Sequence, residues 1–177
     1  MYICVIILFV GMCLNALTVG KVRKRAELLL IEPYLPLPDI IHNNIPKIPM
    51  FIPDYFLFIC GGVTMFNYNS LVHIEKNLLC VGLCAIIRSF SVFITVFPSC
   101  MPKPDDKVES NIYKNLFLST HDLMFSGHSL FFISIGNMLN NDFIKIFGPL
   151  LLVVARYHYT IDVCVSGLVY FFVYTNI

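Results

Sequence analysis

An all-α, polytopic membrane protein built as a bundle of six transmembrane helices is the fold this sequence predicts, and three observations lead to it. Of its 177 residues, 58% are hydrophobic and only 13% charged, with a mean hydropathy of +0.78. A soluble domain carries about a quarter charged residues, so this chain is too apolar for water. Apolar runs recur along it, several near the roughly 20 residues that a helix needs to cross a bilayer. Ionisable residues lie within these runs or where one begins, among them Arg88, His128, His158 and Asp162. Such placement is rare in membrane helices and defaults to function.

The elements follow in order. Residues 1–20 form a nearly continuous apolar run, closed by Lys21-Val22-Arg23-Lys24-Arg25. No basic residue precedes it, so it reads as a first membrane helix rather than a cleaved signal. Residues 32–53 contain Pro33, Pro36, Pro38, Pro46, Pro49 and Pro53, which remove backbone donors and predict an extended external loop. The second segment, 52–68, carries Gly61-Gly62, suited to close helix contact. A polar turn with His73, Glu75 and Lys76 leads to the third segment, 78–97, which contains Arg88. An arginine inside a membrane costs about 3 kcal/mol or more unless it faces a wet or anionic site. A polar loop precedes the fourth segment, 122–139. Asn140-Asn141-Asp142 is a tight turn before the fifth, 143–155, and the sixth is 157–174. The chain reads as one membrane domain, with its catalytic core in 120–177.

Six alternating crossings bring the end of the third segment, the start of the fourth, the end of the fifth and the start of the sixth to one face. Arg88, Asp122, His128, His158 and Asp162 then converge. The loops on that face hold Lys21, Arg23, Lys24, Arg25, Lys47, Lys103, Lys107, Lys114 and Arg156, against Lys76 and Lys145 on the other. By the positive-inside rule this face is cytosolic. The net charge of +1 argues neither for nor against nucleic acid, and with no basic stripe interleaved with aromatics no nucleic-acid partner is expected. Seven scattered cysteines without a Cys-x-x-Cys pair support neither a zinc site nor a disulfide framework.

Two patches hold the chemistry: Asp122-Leu-Met-Phe-Ser126-Gly127-His128-Ser129 and Arg156-Tyr157-His158-Tyr159-Thr160-Ile161-Asp162. Four residues apart, His158 and Asp162 share one face of a helix. The carboxylate can hold one imidazole nitrogen and leave the other as nucleophile or base. Ser126-Gly127 reads as a helix start, where N–H groups and the dipole favour an anion such as phosphate. Two histidines, a carboxylate and an anion site suggest phosphoryl transfer through a phosphohistidine. A metal held by His128, His158 and Asp162 is the competing reading, as is a proton relay. The phosphate reading also uses Arg88 and needs no cofactor. Asp122 either caps a helix or tunes the histidines. His42, His73 and His121 read as polar loop residues, His121 being the one nearest the site.

Taken together, these motifs resemble the sphingomyelin synthase family, a branch of the lipid phosphate phosphatase superfamily. Pro36-Leu37-Pro38-Asp39 is similar to its proline-rich loop motif, and Arg88 with Ser91, Thr95 and Pro98 to its third-helix motif. Asp122 to Ser129 resembles "C-G-D-x-x-x-S-G-H-T", with Thr120-His121 in place of Cys-Gly and Ser129 in place of Thr. His158 to Val163 resembles "H-Y-T-x-D-V". The resemblance implies a catalytic triad of His128, His158 and Asp162, with Arg88, Asp122, Ser126, Gly127 and Tyr159 as substrate-binding candidates. It implies transfer of a phospho-headgroup from a glycerophospholipid to ceramide, on the lumenal or exoplasmic face of Golgi, plasma membrane or endoplasmic reticulum, against the cytosolic face that the charge count gives. A lipid phosphate phosphatase is the alternative, and a non-enzymatic membrane transporter or scaffold is the third reading. Leu152, where that wider pattern has an arginine, and the lack of a proline after Arg88 favour the synthase branch.

Overall fold

A computed structural model describes residues 2–28, 37–67, 73–95 and 124–177, and among them every regular element is helical. In chain order these are α1 (Tyr2–Leu28), α2 (Ile40–Asn44), α3 (Phe51–Phe66), α4 (Ile74–Ile94), α5 (Gly127–Met138), α6 (Asp142–Val154) and α7 (Thr160–Asn176). Each of the six expected segments contains a helix, with shifted bounds. The third starts earlier, because 74–77 join α4, and the fourth begins only at Gly127, since 124–126 form a turn.

The proline-rich stretch is not wholly extended. Asp39 accepts hydrogen bonds from the Ile41 and His42 N–H groups and starts the short α2 in the proline-free run between Pro38 and Pro46. Pro53 falls within the first turn of α3, where a missing N–H costs little.

Among the described helices the most extensive contact joins α1 to α4. Gly11 meets Gly82, Asn15 meets Arg88, and Val19 and Val22 pack on Val92, so the two helices run parallel. An added Cβ on Gly11 would stand 2.6 Å from the Gly82 carbonyl oxygen, and one on Gly82 would stand 2.8 Å from the Leu8 nitrogen. Close approach therefore occurs here. At Gly61 an added Cβ would find only Ile135, 3.9 Å away, and at Gly62 nothing within 4 Å, so the contact expected of that pair is absent among the described residues.

Between α5 and α6 the chain reverses over Leu139 to Asn141, with Asn140 at φ 50° and Asn141 capping α6 through the Ile144 N–H. One core, of Cys80, Cys84, Phe125, Leu130 and Tyr170, joins α4, α5 and α7. A second, of Cys60, Phe132, Ile135, Ile144 and Leu152, joins α3, α5 and α6. Outside these cores large side chains point outward, among them Phe9, Phe58, Phe66, Phe90, Phe171 and Phe172, each at least 68% exposed. Soluble monomers do not present apolar surface on this scale. Two stretches, Tyr2–Val22 and Ile74–Ile94, are long and apolar enough to cross a membrane.

Candidate active site

The site forms where α4 and α6 end and α5 and α7 begin. After α6, Arg156 adopts a left-handed backbone (φ 62°), which turns the chain sharply towards α7. Tyr159 is the N-cap of α7, so His158 stands outside the helix. The expectation that His158 and Asp162 share a helix face is thus corrected. Asp162 lies in the first turn of α7 and its carboxylate reaches back over the helix start, accepting the Tyr159 N–H at 2.9 Å. The same oxygen lies 3.3 Å from His158 Nδ1. A carboxylate only accepts, so Nδ1 is the donor in this contact, and in a neutral ring the lone pair then lies on Nε2. His158 is 5% and Asp162 1% exposed.

The other Asp162 oxygen accepts the Met124 N–H at 2.8 Å, which ties the turn before α5 to α7. Met124 is held at φ 100°, a strained conformation for a side-chain-bearing residue. Two residues on, the Ser126 N–H donates to Ser166 Oγ (2.7 Å), whose hydroxyl donates to the Asp162 carbonyl (2.6 Å). Ser126 Oγ accepts the Ser129 N–H and caps α5. Its hydroxyl is therefore buried in the turn it shapes.

Arg88 reaches this turn from α4. Its Nε donates to the Phe125 carbonyl at 2.6 Å and its Nη1 to Asn15 Oδ1 of α1. An added Cβ on Gly127 would lie 3.6 Å from Arg88 Nε, so the guanidinium rests against the first residue of α5. Arginine and the positive end of α5 meet at one point, a setting for an anion. His128 follows, in the first turn of α5, its ring 5.8 Å from that of Tyr157. Tyr157 in turn donates its hydroxyl to Asp54 of α3 at 2.7 Å. Burial and the Asp54 carboxylate push the Tyr157 phenol above its ordinary value, so it stays a donor.

Several participants escaped the sequence reading. His42 is buried with its ring 5.6 Å from Tyr159, and its carbonyl accepts Arg156 Nη2 at 2.8 Å, so it is not an open loop residue. Asp39 accepts both the Thr160 N–H (2.7 Å) and the Thr160 hydroxyl (2.9 Å). The Tyr159 hydroxyl accepts the Leu37 N–H at 2.9 Å, which turns that side chain to the 37–45 segment. A lone Asn15 in an apolar run, and Asp39 ahead of two isoleucines, were the available signals. His73 precedes α4 with an exposed side chain. Asp122, Thr120 and His121 lie outside the described residues. No group of three or more His, Cys, Asp or Glu is gathered for a metal ion among those described.

No family model matches the chain. It is 25% identical over 170 residues to sphingomyelin synthase-related 1 of Caenorhabditis elegans, an alignment covering 75% of this chain and 35% of that protein. The chain thus spans about a third of the length of the curated relative it matches. The chain is distantly similar to a sphingomyelin synthase-related protein, and two of its helices are long and apolar enough to cross a membrane.

Proposed function

We propose that the chain is a phosphosphingolipid synthase that crosses the membrane six times and moves a phospho-headgroup from a glycerophospholipid to ceramide. The observation that carries this reading is the His158–Asp162 pair, with Nδ1 turned to the carboxylate, next to an α5 start that Arg88 abuts. The similarity to a sphingomyelin synthase-related protein supports the lipid class.

In this reading His158 Nε2 attacks phosphorus. The bond to the diacylglycerol oxygen breaks, and protonated His128 gives that oxygen its proton. The primary hydroxyl of ceramide then attacks, neutral His128 takes its proton, and the P–N bond breaks to restore His158. Arg88 and the first N–H groups of α5 offset charge on the phosphoryl oxygens. Asp162 keeps the His158 tautomer fixed throughout. The surrounding apolar helices deliver both lipids from the bilayer.

Purified protein in liposomes holding fluorescent ceramide and one phospholipid at a time tests this. A new phosphosphingolipid is expected, lost by roughly 10³-fold or more in His158→Ala. Hydrolysis of phospholipid or phosphatidic acid with ceramide untouched would assign a phosphatase. Full activity in the variant would sink both.

A further inference from the structure

We propose that Asp39, 121 residues before Thr160 in sequence, is a positioning residue that holds the loop bearing His158 in its working geometry. A helix start leaves its first N–H groups without intrahelical partners. At α7 two carboxylates share them: Asp162 takes the N–H of Tyr159 from within the helix, and Asp39 takes that of Thr160 from outside. Asp39 Oδ1 also accepts the Thr160 hydroxyl, so two contacts fix one residue from one side.

The same carboxylate starts α2 through Ile41 and His42. Segment 37–45 thereby becomes a strap across 156–160. Leu37 N–H meets the Tyr159 hydroxyl, the His42 ring lies by the Tyr159 ring, and Arg156 reaches the His42 carbonyl. His158 sits in the middle of the clamped residues. Every one of these contacts is with a neighbour of His158, so the strap acts on the nucleophile's placement and leaves Nε2 untouched. Asp39 is 8% exposed, and charge-assisted bonds in such surroundings are the strong ones.

This inference rests on the proposed function only for its effect on turnover, and the test has an arm that does not. Diethyl pyrocarbonate modifies accessible neutral histidine, and the rate at His158 is read by mass spectrometry. Asp39→Ser keeps a side-chain oxygen to start α2 but is too short to reach Thr160 as well. The expected result is modification of His158 faster by roughly tenfold or more, the population change that follows loss of one hydrogen bond to a charged group. In the lipid assay, kcat falls while KM holds. Thr160→Val, which loses the hydroxyl and keeps the N–H, changes the rate in the same direction by less. Unchanged His158 modification in either folded variant overturns the proposal. Wild-type protein that turns over no lipid would reject the proposed function alone, since the modification rates would still report on Asp39.

Discussion

Asp162 receives three N–H donors on two oxygens, from Met124, Tyr159 and His158. Asparagine offers one oxygen and an NH2 group that must then face a donor, whichever way it turns. Asp162→Asn is expected to cost about 1–3 kcal/mol of stability, read as a lower melting temperature in detergent. It should lower turnover by roughly 10²-fold or more, because the His158 tautomer is no longer held. The spacing of His158 and Asp162 made this pair legible in sequence, although the contact arises from a capping carboxylate and not from a shared helix face. Asp39 was illegible as a partner of Thr160, because no spacing rule links residues so far apart. Its chemistry yields a pH prediction. Burial opposes ionisation, but hydrogen bonds from the Thr160 N–H and hydroxyl and from His42 outweigh it and hold the carboxyl below its ordinary 3.8. A depressed value means that the stabilisation is complete above about 3.8 and fades as pH falls through the folded value. The melting-temperature gap between wild type and Asp39→Asn is therefore expected to be constant from pH 5 to 8 and to close under stronger acid.

Helix α1 earns its place by contact with α4 at glycine. A Cβ on Gly82 would meet the Leu8 backbone at 2.8 and 2.9 Å, and backbone has no rotamer to yield. Removing a helical glycine favours folding by about 1 kcal/mol, whereas overpacking costs about 1–3. Here the clash wins, since both helices must part. Gly82→Val is expected to lower the melting temperature and draw Asn15 away from Arg88, while Gly62→Ala, with open space around it, is neutral or stabilising. A difference in the opposite sense between the two would refute the close packing. Apolar runs showed that six segments would be helical, but not which glycines meet, because a Gly-Gly pair carries no information about its neighbour. The start of α5 was legible, since Ser126-Gly127 reads as a helix start and Ser126 is its N-cap; the turn ahead of it was not. Leu123, Met124 and Phe125 continue the apolar run in sequence, yet Met124 at φ 100° breaks the helix so that its N–H can reach Asp162.

At the scale of the whole molecule, the parallel packing of α1 and α4 carries a topological consequence. If both cross a bilayer, the chain must return between them, and α3 runs the right way: Asp54 near its start meets Tyr157 at the site end, while Phe66 is at the other. Its 16 residues span about 24 Å, against a hydrocarbon core of about 30 Å. With 12 and 13 residues, α5 and α6 span only about 18 and 20 Å. Their turn nevertheless carries Asn140, Asn141 and the Asp142–Lys145 pair, with the Asp142 side chain 85% exposed. Burying those groups in hydrocarbon would cost several kcal/mol, more than the modest price of local thinning. In the proposed six-crossing arrangement the turn would therefore reach water or headgroups on the face opposite His158. Epitopes inserted at Asp142 and after Ile177 are expected to share one face in protease-protection assays on sealed vesicles, with an epitope at Lys47 on the other. An epitope at Asp142 digested from the same side as Lys47 would make α5 and α6 a re-entrant hairpin, and the six-crossing arrangement would fall with it.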